Sequence, residues 1–287
     1  METRETGQVT RNERLAAVII FLVIASIIIL VFSPWRLEIK VLNRDYLGRL
    51  AMVSTLALVV VIASKQDGLS RLLPLLKALF ILSLAVTVDR VFGVFLVDTL
   101  RIGDSQPVGW MTQKLNEAAV VCPTIVLANK ACGGILEDLY LVKGKLKISL
   151  TIGVLTFVLA ALASFPMATL FKAENLTLAR VAPWIPWLVI YVLANGLLEE
   201  LMFRGLFLKR LEPFVGKFVA NLLIAFVFTA LHGTTTYSAS NMIFLAVTFP
   251  LALLWGYLTL KTESIWGSVL FHAGMDIPIM LGIFANL

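Results

Sequence analysis

Apolar windows long enough to cross a bilayer recur along the chain, with charged breaks between them. They predict about eight transmembrane helices, at 15–32, 47–63, 72–97, 148–166, 184–208, 217–232, 242–260 and 265–282. The stretch Glu117–Ala128 is also apolar, but it is about a dozen residues long and interrupted by Pro123. It is therefore expected to be interfacial or re-entrant, not a full span. Segment 129–147 is polar and basic, with Gly133-Gly134 and Lys143-Gly-Lys-Leu-Lys147. It reads as an amphipathic connector on cytoplasmic headgroups. No heptad, solenoid period or low-complexity tract occurs. The expected fold is an all-α, polytopic integral membrane protein forming one unit. Residues 1–144 supply N-terminal helices and the connector, and 145–287 form the core that carries the chemistry.

Composition agrees with the pattern. With 287 residues, 59% hydrophobic and only 15% charged, the chain has too little charge to cover a soluble domain of that length. The net charge of +6 lies mostly in loops, where it speaks for topology and anionic headgroups and against nucleic-acid binding. With eight spans, Lys65 and Arg71 fall on the poorer side with the N-terminal arginines. Lys130, Lys209, Arg210 and Lys217 fall on the richer, expected cytoplasmic side, and both termini lie outside. The apolar run after Arg14 resembles a signal anchor without a cleavage site, and is expected to stay in the mature protein. Cys122 and Cys132 provide neither a disulfide framework nor metal-ligand spacing.

Candidate chemistry concentrates in Asn195-Gly-Leu-Leu-Glu-Glu-Leu-Met-Phe-Arg204. Charged side chains at bilayer depth are expensive and rarely lack a partner or a task. Glu200 and Arg204 are four apart and share a helix face, whereas Glu199 points about 100° away. This suggests Glu200 held by Arg204 and Glu199 presented elsewhere; a buried ion-pair knot between helices is the plainer alternative. The chain's two histidines, His232 and His272, both lie in predicted spans, with Phe228 and Asp276 one turn away on their respective faces. At 1.5 Å per residue, Glu199 lies about 15 Å from Lys209, His272 about 16 Å from Lys261, and His232 about 22 Å from Lys217, or about 16 Å if Asn221 marks the entry into hydrocarbon. The three could share a level near the midplane. The polar run 233–241 would then also lie at depth, where it needs a water-filled cavity. In the third span, Lys77, Asp89 and Arg90 each need a partner on another helix, which reads as structural pairing.

Glu199-Glu200-Leu-Met-Phe-Arg204, Phe228-Thr-Ala-Leu-His232 and His272-Ala-Gly-Met-Asp276, in that order on late helices, resemble the CAAX-processing endoprotease family. This is the CPBP group of glutamic intramembrane proteases, with its bacterial abortive-infection relatives. The resemblance covers roughly 145–287. It implies an eight-helix fold that cleaves a peptide bond near the C-terminal or membrane-embedded part of a substrate. That partner would be a membrane-associated peptide or protein, lipid-modified or not. By the resemblance Glu199 and His232 activate a water, and His272 with Asp276 stabilises the oxyanion. Glu200, Arg204, Asn195 and Phe228 support them, and no metal or other cofactor is required. A partly desolvated carboxylate suits proton abstraction near neutrality, and an oxyanion needs donors preset in a water-poor site. Asp276 stands where many relatives carry Asn, so it either donates when protonated or orients His272 by accepting its ring N–H. The expected setting is a prokaryotic cell membrane in preference to the endoplasmic reticulum, with the site opening to the cytoplasm.

The same residues fit other chemistry. A carboxylate with imidazoles is also zinc-competent, although no His-Glu-x-x-His occurs. Ser268 is one turn from His272, but a helix serine usually bonds its own i−4 carbonyl. A transporter or proton relay would use buried charge too, yet no inverted repeat is evident. A non-catalytic membrane-peptide-binding protein, of an immunity or chaperone kind, is the other class.

Overall fold

The computed structural model of the chain describes residues 8–32, 45–101, 108–171, 173–234 and 240–285, and among them every regular element is helical. Helix α1 covers 11–32, with a π turn at Phe21–Ala25. Then come α2 (Asp45–Ser64), α3 (Leu73–Phe92), α4 (Val108–Ala131), α5 (Leu146–Ala168) and α6 (Ile185–Glu200). A second π turn at Leu201–Gly205 leads into α7 (Leu206–Leu231), followed by α8 (Asn241–Thr262) and α9 (Trp266–Ala285). Local chemistry sets several ends. Thr10 and Glu13 form a reciprocal capping box on α1. Pro74 sits in the first turn of α3, where its missing N–H costs nothing, and Ser240 caps α8.

Six stretches are long and apolar enough to cross a membrane: 11–31, 46–64, 73–100, 146–171, 178–231 and 241–262. This is a multi-pass membrane protein. The stretch 178–231 doubles back inside α7 at Gly216, whose φ of 77° is left-handed backbone that glycine adopts without a Cβ clash. The ring of Phe203, before the reversal, lies 5.1 Å from that of Phe228, after it. Large apolar side chains such as Leu162, Phe226 and Met242 face outward, while the polar residues turn in. Small residues permit close helix approach. A Cβ on Gly196 of α6 would stand 2.8 Å from the Val269 carbonyl of α9, and one on Gly153 of α5 would stand 2.8 Å from the Gly267 carbonyl.

Two expectations change. Glu117–Ala128 is not a short re-entrant piece but part of the 24-residue α4, about 36 Å long at 1.5 Å per residue. Pro123 is accommodated within it. Its polar residues Thr112, Lys114, Asn116, Glu117 and Asn129 are buried in the bundle, although they point in several directions around the helix, so hydropathy alone does not mark it as a bundle helix. It runs antiparallel to α3, from the Asn116–Phe92 contact at one end to the Lys77–Cys132 contact at the other, which reorders everything before it. Arg71 bonds Glu13 at 3.1 Å, Lys77 bonds the Cys132 carbonyl at 2.7 Å, and Arg210 bonds Asn129 at 2.6 Å. The start of α1, the α2–α3 turn, the α4–α5 connection and the reversal in α7 therefore all lie at one end. Lys65 and Arg71 are thus on the same side as Lys209, Arg210 and Lys217, not opposite them.

The connector 132–145 contains a 3₁₀ turn, Leu136–Leu139, and is pinned to the protein. The Lys145 N–H donates to Thr262, and the Ile265 N–H to Tyr140. Burial of Tyr140 raises its phenol above the usual range. The third-span charges do find partners on other helices. Besides Lys77, Arg90 lies over the Tyr46 ring, and Asp89 sits within electrostatic reach of Arg49, Lys114 and Glu117.

Candidate active site

Three late helices and the π turn converge on the imidazole of His272. α6 delivers Glu199 and Glu200, and the close contact at Gly196 draws α6 against α9, which carries His272. The two glutamates diverge around their helix, yet both reach the same ring because it stands between them, one nitrogen toward each. His272 Nδ1 lies 2.9 Å from Glu200 Oε1, and since a carboxylate only accepts, Nδ1–H is the donor. His272 Nε2 lies 3.5 Å from Glu199 Oε2 and 3.8 Å from Asp276 Oδ1, distances of charge interaction instead of hydrogen bonding. All four side chains are buried.

The expected division between the glutamates is visible in their partners. Arg204 binds Glu200 at 2.7 Å with both side chains fully buried, and donates with its other terminal nitrogen to the Ala252 carbonyl of α8 at 2.8 Å. Glu199 Oε2 is buried and makes no hydrogen bond among the described residues. The π turn starts directly after Glu200; such widened turns recur at functional sites. Asn195, one turn before Glu199, donates to Asp276 Oδ2 at 2.9 Å. Orientation of His272 therefore falls to Glu200, while Asp276 is held by Asn195.

His232 ends α7, its Nδ1 2.9 Å from the Phe228 carbonyl. Donation from Nδ1 assigns the acceptor lone pair to Nε2. The Phe228 ring stands between the two histidines, 4.7 Å from His232 and 5.7 Å from His272 by centroid, with the Arg204 guanidinium 4.9 Å from its centre. A cavity of about 100 Å³ is lined by His232, His272, Asp276, Phe228 and Trp255. It runs toward the end of the bundle where α5 finishes and α8 begins, past Phe171 and Phe244, whose rings meet edge-on at 6.2 Å. The structure thus brings His232, His272 and Asp276 to one cavity, and sets Glu199 against His272 from behind that wall. Of the polar run expected to line a wet chamber, 235–239 lies outside the described residues.

Residues 181–278 match the family model described as type II CAAX prenyl endopeptidase Rce1-like, as the resemblance anticipated. The matched segment contains all three motifs and leaves α1–α5 outside the match. No curated protein and no solved structure matches the chain.

Sequence reading missed two contributors. Trp255 of α8 stacks on His272 at 4.0 Å between centroids and 7° between planes. A lone tryptophan in an apolar helix gives no signal of this; only the crossing of α8 and α9 does. Lys114 of α4, paired with Glu117 at 2.6 Å, lies within electrostatic reach of Glu199, Tyr191 and Asp276. Lys114 falls outside every span expected from the sequence, because hydropathy does not reveal α4. Ser268 is engaged away from His272: it donates to the Trp255 carbonyl at 2.8 Å and meets Thr259 Oγ1 at 2.7 Å. Among the described residues, no group of three or more His, Cys, Asp or Glu side chains is arranged to hold a metal ion.

Proposed function

We propose that this protein is an intramembrane endopeptidase. It would hydrolyse a peptide bond near the C-terminal or membrane-embedded part of a membrane-associated substrate. The observation that carries this reading is His272 held between Glu200 and Glu199 at the wall of a cavity that His232 also lines. The Rce1-like match over 181–278 supports the same reaction class.

In this scheme Glu199 accepts a proton from a water as its oxygen attacks the scissile carbonyl carbon. His232 Nε2, with its lone pair, helps hold that water. The carbonyl oxygen becomes an oxyanion, and His272 Nε2–H donates to it when the ring is protonated. As the C–N bond breaks, the proton held by Glu199 passes to the departing amine. Glu200 with Arg204 fixes the ring of His272, and Trp255 fixes its plane. A cavity of about 100 Å³ admits a few waters but is below the roughly 300–1,000 Å³ of ordinary ligand pockets, so substrate entry needs the Phe171–Phe244 contact to part.

The basic end of the bundle is assigned to the cytoplasm by the positive-inside rule. The cavity beside His272 then points away from the cytoplasm, the reverse of the orientation expected from sequence. Purified protein in proteoliposomes, given a panel of membrane-anchored peptides, tests the activity. Cleavage should fall about 10²–10⁴-fold in Glu199→Gln, the usual size of a lost general base. Undiminished cleavage in that variant, or none by the wild type with any peptide, would refute the reading. Cleavage abolished by a chelator and restored by zinc would favour the metal-dependent form instead.

A further inference from the structure

The basic end of the bundle holds a second cavity, of about 350 Å³, which shares no lining residue with the cavity beside His272. It forms where the α2–α3 turn, the first turns of α3, the Gly133-Gly134 turn after α4 and the α7 reversal meet. Arg71, Lys77, Lys209 and Arg210 line it against a single carboxylate, Asp138. Arg71 is balanced by Glu13 at 3.1 Å, and Asp138 accepts the Ile135 N–H. The other three cations bind uncharged oxygens: Lys77 the Cys132 carbonyl at 2.7 Å, Lys209 the Glu137 carbonyl, and Arg210 both Asn129 Oδ1 and the Leu206 carbonyl, each at 2.6 Å. Carbonyls and amides hold these groups in place without cancelling their charge. The cavity therefore keeps a net positive charge in a partly buried setting, where it counts for more than on an open surface.

We infer that this cavity binds the phosphate headgroup of an anionic phospholipid. Its volume falls within the roughly 300–1,000 Å³ of small-ligand sites. Its walls are helix ends and turns, the level at which headgroups sit. Basic cavities between transmembrane helices on the cytoplasmic side are suited to such lipids. The same turns expose Ile135 and Leu136, and Phe218 lies exposed just beyond Gly216, which suits neighbouring acyl chains better than bulk water. Because three of the surrounding segments belong to different helix pairs, an occupying phosphate would tie α3, α4 and α7 together.

The full-length protein, stripped of lipid in a neutral detergent, is titrated with phosphatidylglycerol, phosphatidylcholine or soluble glycerol 1-phosphate. Adducts are counted by native mass spectrometry. One tightly held phosphatidylglycerol is expected, with phosphatidylcholine at least about ten-fold weaker and glycerol 1-phosphate weaker still. Lys77→Gln and Lys209→Gln should each weaken phosphatidylglycerol roughly five-fold, while Lys77→Arg and Lys209→Arg retain it. Lys65→Gln, at the same end but outside the cavity, should bind as the wild type does. The inference is overturned if the two glutamine variants hold phosphatidylglycerol undiminished. It is equally overturned if Lys65→Gln weakens binding as much, or if glycerol 1-phosphate binds as well as the lipid.

Discussion

Glu199 and Glu200 are chain neighbours of identical chemistry, and the structure gives them opposite sensitivities to the same substitution. Glu200→Gln removes the anion from an ion pair in which both side chains are fully buried. Arg204 would keep its contact to the Ala252 carbonyl but lose its counter-charge. Stripping one partner from such a pair typically costs about 3–5 kcal/mol, because the remaining charge stays desolvated. The same change weakens the anchor on His272 Nδ1. Glu199→Gln has little to lose by comparison. Its Oε2 makes no hydrogen bond among the described residues, and its nearest charged partner is 3.5 Å away. Neutralising it gives up attraction to Lys114, Arg204 and His272 but relieves repulsion from Glu200 and Asp276, so stability should stay within about 1 kcal/mol of wild type, the range of a modest interaction. Unfolding in mixed micelles by increasing denaturing detergent, read by tryptophan fluorescence, gives the stabilities, and peptide cleavage in proteoliposomes gives the rates. Glu200→Gln should be destabilised and impaired, Glu199→Gln folded and inactive. Equal stabilities would refute the assignment of one carboxylate to the scaffold and the other to the reaction.

Asp276→Asn should retain cleavage activity within a few-fold, because Glu200 and not Asp276 orients the ring of His272; a loss of 100-fold or more in kcat would show that the carboxylate's charge matters. Lys114→Met should destabilise the protein by about 3–5 kcal/mol through its bereft partner Glu117. The double variant Lys114→Met/Glu117→Gln should recover stability but not rate if the ammonium also serves Glu199 and Asp276, and recovery of both would confine Lys114 to packing. For sidedness, single cysteines at Gln66, Lys217 and Glu174, introduced after Cys122 and Cys132 are replaced, are labelled with an impermeant maleimide in intact vesicles. Gln66→Cys and Lys217→Cys should label together and Glu174→Cys from the opposite side, whereas an eight-span arrangement separates the first two.

Much was legible in the order of residues alone. Membrane insertion and helical class follow from composition and window length, since lipid demands that backbone groups be satisfied within each segment. Expense of charge in hydrocarbon is likewise a local property, so Glu199, Glu200, Arg204, His232 and His272 stood out against their apolar neighbours, and helical spacing correctly paired Glu200 with Arg204. The family match over 181–278 spans those same motifs. Other features were beyond that kind of reading. Hydropathy does not reveal α4, because it assumes a lipid-facing helix; here the polar side chains are buried, and only packing makes Lys114, Asn116 and Glu117 tolerable. Missing that traverse reversed the predicted sides of Lys65 and Arg71. The stacking of Trp255 on His272, and Glu200 in place of Asp276 as the ring's anchor, depend on how α8 and α9 cross α6. A sequence specifies which side chains share a helix face, but which faces meet is decided by close contacts such as Gly196 against Val269 and by the reversal at Gly216, where the requirement is spatial and involves residues distant in the chain.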